Sequence, residues 1–116
     1  MLRQAAMPVI IKPILLGNRP VKPSAALESN REAARGAAQR FRAANLRVFG
    51  SAAQGTDRED SDLDLLVDPL PGATLFDLGG LQVELEKMLG VPVDLLTPGD
   101  LPPKFRSRVL AEAILV

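Results

Sequence analysis

Apolar positions recur along most of the chain in short, separated patterns whose period distinguishes helix from strand. Leu75, Leu78, Leu81, Leu85, Met88 and Leu89 fall on one helical face. Thr74 is placed to cap that helix and Gly90 to end it in the left-handed conformation. Leu27, Ala34, Ala38 and Phe41 predict an earlier helix between Ser24 and Asn45. Ser24 can cap it, and Ser29 with Glu32 offers a second, capping-box start. Leu46 to Phe49 reads as a short strand ending at Gly50, and Leu63 to Val67 as a near-continuous apolar strand closed by Pro69 and Pro71. A loop of small and charged residues is expected between them. Val91 to Leu96 is a third strand. Pro102 and Pro103 suit a first helical turn, and Phe105, Val109, Leu110 and Ile114 predict a buried stripe on a closing helix. The order helix, strand, strand, helix, strand, helix implies a small mixed sheet with flanking helices, an α+β class with α/β-like connections.

The first twenty-odd residues depart from this regularity. Pro8, Pro13, Pro20 and Pro23 surround an apolar run and resist both helix and central strand. Residues 1–23 are therefore expected to form an arm, flexible or partner-binding, ahead of one domain over 24–116. Met7 to Leu16 is interrupted by Pro8, Lys12 and Pro13 and is too short for a bilayer span. No membrane association and a cytoplasmic location are the resulting expectations.

Composition narrows the chemistry. The chain has no Cys and no His among its 116 residues, which removes thiol nucleophiles, disulfides, imidazole bases and the usual zinc ligands. Fourteen basic and fourteen acidic residues balance, so no global positive field favours nucleic acid as the main partner. Catalysis is left to carboxylates, hydroxyls, Lys, Arg or a hard metal ion.

Asp62 and Asp64 are separated by one residue, so in an extended segment both project from one face while Leu63, Leu65 and Val67 occupy the other. Adjacent carboxylates repel one another unless a cation neutralises them, and hard oxygen ligands suit Mg²⁺. Asp57, Glu59 and Asp60, just upstream, read as a solvated turn. Asp64 differs because Leu65, Leu66 and Val67 follow it directly, where an unpaired charge is expensive. Gly50-Ser51 opens the small-residue stretch Ser51-Ala52-Ala53-Gln54-Gly55, whose backbone amides can approach a phosphate closely. A glycine-serine pair is an ordinary turn former, and its weight comes from its spacing to the aspartates. Asp94, in Val93-Asp94-Leu95-Leu96, is a further acid in an apolar strand. Beside the Asp62/Asp64 strand it could ligate a second metal ion or accept the proton of an attacking hydroxyl.

Val48-Phe49-Gly50-Ser51, the ten-residue gap and Ser61-Asp62-Leu63-Asp64-Leu65-Leu66-Val67 resemble the G-S-x10-D-x-D signature of the DNA polymerase β-like nucleotidyltransferase superfamily, and most closely its minimal members, the MNT proteins. The similarity runs from about Ser24 to the end. It implies a palm-like fold and nucleotidyl transfer from a triphosphate, ATP, with two Mg²⁺. By resemblance Gly50 and Ser51 would hold the triphosphate, Asp62 and Asp64 would bind the metals, and Asp94 would be the third carboxylate. Relatives commonly carry Arg in the segment after Gly-Ser, where this chain has Ala52 and Gln54. Gln54 can donate hydrogen bonds but brings no charge, so phosphate binding would lean on Mg²⁺, backbone amides and cations such as Lys104, Arg106 or Arg58.

Minimal nucleotidyltransferases resemble the antitoxin half of HEPN/MNT toxin–antitoxin pairs, in which AMP is added to a tyrosine of a HEPN ribonuclease. The resemblance therefore implies a cognate HEPN-type toxin as partner, with homo- or hetero-oligomers possible. Two alternatives stay open at this point. One is a palm-like module that neutralises a toxin by occlusion without chemistry; the other is a small-molecule nucleotidyltransferase.

Overall fold

The computed structural model describes residues 21–116; the expected arm lies, up to residue 20, outside the described residues. Pro23, at the end of that arm, instead opens the first helix and is buried. Helices α1 (Pro23–Glu28) and α2 (Arg31–Arg40) stand where one helix was expected. The break has a local cause. Asn30 donates its side-chain amide to the Ala26 carbonyl at 2.8 Å, ending α1, and then occupies the N-cap of α2. Neither predicted cap operates, because Ser24 bonds elsewhere and Asn30, not Ser29, precedes α2.

Strand β1 (Ala43–Phe49) runs into a five-residue helix, α3 (Gly50–Gln54), before the loop that leads to β2 (Leu63–Pro69). The connection expected to be loop throughout is thus helical in its first turn. Helix α4 (Leu75–Leu89) agrees with its sequence signals at both ends. Thr74 and Asp77 form a reciprocal capping box, and Gly90 ends the helix at φ 70°. Then follow β3 (Val93–Leu96), a 3₁₀ turn at Pro98–Asp100, α5 (Pro103–Glu112) and a short strand, β4 (Ile114–Leu115).

The sheet order is β3-β2-β1-β4, with β2 antiparallel to β1 and parallel to β3. A parallel neighbour requires a crossover, which α4 supplies. β2 is central, and Leu63, Leu65, Leu66 and Val67 are fully buried, as an apolar run covered on both faces should be. One face forms the core with Ala34, Ala37 and Ala38 of α2 and Leu81, Leu85 and Leu89 of α4. The alanines let α2 lie close, and Gly80 does the same for α4. A Cβ at Gly80 would stand 2.7 Å from the Phe41 ring. β1 carries a register irregularity between Ala44 and Arg47, where Asn45 adopts φ 55°. Asn is among the few non-glycine residues that tolerate this conformation. Its side chain and that of Arg47 both bond Asp68 across the strand pair.

The closing helix departs from expectation. No residue of α5 is buried, and Phe105 and Leu110 are exposed. Ile114, assigned from its spacing to the same stripe, lies in β4 and pairs with Val48. The apolar stripe is real, but the helix does not sink it into the core. Among the described residues no helix is long and apolar enough to cross a membrane.

Candidate active site

Sheet register assembles the site. Phe49 pairs with Asp64 across the antiparallel ladder, and Asp64 pairs with Asp94 across the parallel one. Residues paired in this way share a face, so the end of β1, the start of β2 and the start of β3 present Phe49, Asp64 and Asp94 together, with Gly50 following directly after Phe49. Asp62 lies just before β2, whose first residue, Leu63, donates its amide to the Pro92 carbonyl at 2.9 Å. That bond ties the Asp62–Asp64 segment to the turn that leads into Asp94.

Gly50 is required by contact as well as by conformation. Its φ is 72°, and a Cβ built there would overlap Oδ2 of Asp64 and lie 3.2 Å from its Cγ. The glycine backbone therefore rests directly on the Asp64 carboxylate. α3 begins at this point, with its first-turn amides facing away from any intrahelical acceptor, and ends at Gly55 with φ 76°. Ser51 is half-buried at the start of α3, while Gln54 is exposed at its end.

The electrostatics are unbalanced in a way that bears on ligands. Burial, then Asp94, then Asp62 push the Asp64 carboxyl above the ordinary carboxylate range. Among the described residues no Lys or Arg forms an ion pair with Asp62, Asp64 or Asp94. A divalent cation would remove this strain. No group of three His, Cys, Asp or Glu side chains among the described residues is arranged to enclose a metal ion by itself. The carboxylates instead fit the way Mg²⁺ is usually held, by one or two carboxylates with the other positions given to phosphate oxygens and water.

Two features escaped the sequence reading. Asp57, expected in a solvated turn, is 4% exposed and accepts hydrogen bonds from the Ser24 amide and hydroxyl at 2.8 and 3.0 Å. It anchors α1 to the loop after α3, and no local pattern around it announces this. α5 and the end of β1 border an open cavity of about 290 Å³. Phe49, Gly50 and Gln54 form one wall and Phe105, Arg108, Val109 and Glu112 the other. None of the three carboxylates lines this cavity, which meets them only through Gly50, and none lines a larger cavity of about 440 Å³ bordered in part by Ala38, Leu46, Leu115 and Val116.

The model of the nucleotidyltransferase domain matches residues 31–116. The chain belongs to the nucleotidyltransferase domain family. This nucleotidyltransferase is 43% identical over 67 residues to a provisionally named protein adenylyltransferase, MJ0435, of Methanocaldococcus jannaschii, covering 58% of this chain and 72% of the relative. It is 37% identical over 78 residues to the protein adenylyltransferase MntA of Thermococcus cleftensis, covering 67% and 79%. A solved structure provisionally described as a minimal nucleotidyltransferase superposes with TM-score 0.73 at 46% identity, covering 80% of this chain and 95% of that one. A toxin–antitoxin structure with AMP-PNP superposes with TM-score 0.58 at 21% identity, covering 69% and 66%, a likeness of fold. The four-stranded mixed sheet is thus the nucleotidyltransferase fold. Within it, Gly50, Ser51, Asp62, Asp64 and Asp94 gather at one end of the sheet.

Proposed function

We propose that this nucleotidyltransferase transfers AMP from ATP, with Mg²⁺, to a hydroxyl of a partner protein, a tyrosine of a cognate HEPN ribonuclease toxin, and so acts as its antitoxin. The observation that carries the chemistry is the direct register of Asp64 with Asp94 beneath the Gly50 backbone. Names of relatives support the acceptor class: two are called protein adenylyltransferases. The structure with AMP-PNP belongs to a toxin–antitoxin complex of the same fold. The exposed apolar side chains of α5 and β4 also fit a macromolecular partner better than a small acceptor.

In this reading Asp62 and Asp64 would hold Mg²⁺, which supplies charge neutralisation and polarisation of the phosphate oxygens when bound. The chain's own residues do the rest. Gly50 lets the backbone approach the donor, and the Ser51 amide and hydroxyl with the Gln54 side chain donate hydrogen bonds to its phosphates. Asp94, on the exposed edge strand, is free to receive the proton of the incoming hydroxyl. That hydroxyl oxygen attacks the α-phosphorus, the bond to the bridging oxygen breaks, and pyrophosphate leaves. Such an in-line displacement relies on positioning and charge, so the absence of His and Cys is no obstacle.

The test is incubation with a HEPN-type partner, Mg²⁺ and α-labelled ATP. Label should appear on the partner and disappear in Asp62→Asn and Asp64→Asn variants. A partner left unlabelled under saturating conditions would refute the transfer. Full neutralisation of the toxin by both Asn variants in cells would show occlusion to be the operative function.

A further inference from the structure

The donor's polyphosphate is multiply anionic and would enter beside three carboxylates, yet Gly50 to Gly55 contains no cation. Charge must come from elsewhere, and the structure disposes of the candidates nearest in sequence. Arg58, in an equally open pair with Asp60 at 3.7 Å, lines a different cavity with Asp57, Glu59 and Asp60, one that reaches neither Gly50 nor Gln54. Arg106 donates to the Leu101 carbonyl at 2.9 Å and leans on Gly99, fastening α5 to the turn before it. Lys104 lies 5.6 Å over the Phe105 ring and is not among the residues that line the cavity beside Gly50. Arg108 is different: it lines the 290 Å³ cavity together with Gly50 and Gln54. Its partner is Glu112, at 3.8 Å on the same helix, with the two side chains 73% and 52% exposed. A pair that open is weak and easily exchanged.

We infer that Arg108 is the phosphate-binding cation of this nucleotidyltransferase, delivered from α5 into the cavity beside Gly50, and that the donor's phosphates displace Glu112 from it. The inference rests on the nucleotidyl-transfer reading of the site. Gly50 touches both the Asp64 carboxylate and this cavity. A phosphate chain lying there would run between Gly50, behind which the Asp64 carboxylate would hold a metal ion, and the Arg108 guanidinium. Guanidinium geometry matches phosphate bidentately, and its charge substitutes for what Ala52 and Gln54 lack. Glu112 pairs with Arg108 when no donor is bound.

Calorimetric titration of the full chain with Mg²⁺ and AMP-PNP separates these ideas. Arg108→Ala should weaken binding about tenfold or more, the scale of a lost charged hydrogen bond. Arg108→Lys should restore part of the loss, and Glu112→Gln should bind at least as tightly as the parent. Lys104→Ala removes the same charge from the same helix and should change little, which distinguishes a contact from a general field. Affinity for AMP should be nearly unaffected by Arg108→Ala. Thermal melts of the unliganded variants check that α5 is intact. Unchanged AMP-PNP affinity in Arg108→Ala, or equal losses in Arg108→Ala and Lys104→Ala, would overturn the role of Arg108 alone. Failure of the parent chain to bind AMP-PNP with Mg²⁺ would overturn the reading on which it rests.

Discussion

Replacing Gly50 by Ala perturbs two things at once, and the structure allows them to be separated. The first is backbone strain: φ is 72°, and an L-residue in the left-handed region costs roughly 1–2 kcal/mol. For a domain of this size each kcal/mol lowers Tm by about 4–8 °C, so the fall is roughly 4–16 °C. The second is steric. The new Cβ would overlap Oδ2 of Asp64, and the carboxylate would have to retreat by roughly 1 Å to regain ordinary van der Waals separation. Displacement of a positioning group by about 1 Å can lower turnover about 100-fold. Gly55→Ala supplies the control, because Gly55 has φ 76° but a Cβ there meets nothing within 4 Å. Both variants should therefore lose similar stability, while transfer collapses only in Gly50→Ala. Differential scanning fluorimetry and labelling of the partner with α-labelled ATP measure the two effects. Equal activities for Gly50→Ala and Gly55→Ala would refute the claim that Gly50 positions Asp64.

Asp64→Asn should make the metal-free protein more stable at neutral pH while abolishing transfer. The native pKa of Asp64 is raised, so the folded state keeps a proton that the unfolded chain has released. Stability of the parent chain is then lost as pH rises through the interval between the unfolded and folded values. Melts in EDTA should show the advantage of the variant shrinking towards zero below the ordinary carboxylate range, and a less stable variant at neutral pH contradicts the assignment. Asp57→Ala removes the acceptor of two hydrogen bonds from Ser24 and should cost about 1–3 kcal/mol in urea unfolding. Asp57→Asn, which keeps one acceptor oxygen, should lose less; a neutral Asp57→Ala would mean that α1 is not held through this side chain. Thr74→Ala breaks the capping box of α4 and should lower stability by about 1 kcal/mol without altering nucleotide binding. An effect on AMP-PNP affinity would show α4 to be coupled to the site.

Elements whose signals are complete within a few residues were legible in the sequence. α4 is the clearest case, because Thr74, the leucine spacing and Gly90 each act within the helix they delimit. The β2 pattern was equally plain, since alternation alone sets Asp62 and Asp64 against buried Leu63 and Leu65. The split between α1 and α2 was hidden because it turns on a single side-chain contact, from Asn30 to Ala26. Apolar spacing along α5 was read correctly as a stripe but not as an exposed one, because periodicity records which residues share a face and not what covers it.

The sequence by itself determined the chemistry available to this protein: paired carboxylates, a glycine-serine turn at a fixed distance, and neither imidazole nor thiol. Tertiary structure decided where that chemistry meets. Asp64 and Asp94 are thirty residues apart and become neighbours only through the parallel register of β2 with β3. Gly50 owes its necessity to an oxygen of Asp64, and Arg108 reaches the cavity beside Gly50 only because α5 borders it together with the end of β1. Hydrophobic period and capping are local interactions written in adjacent residues, whereas register and the placement of a helix over a sheet are set by surfaces far apart in the chain.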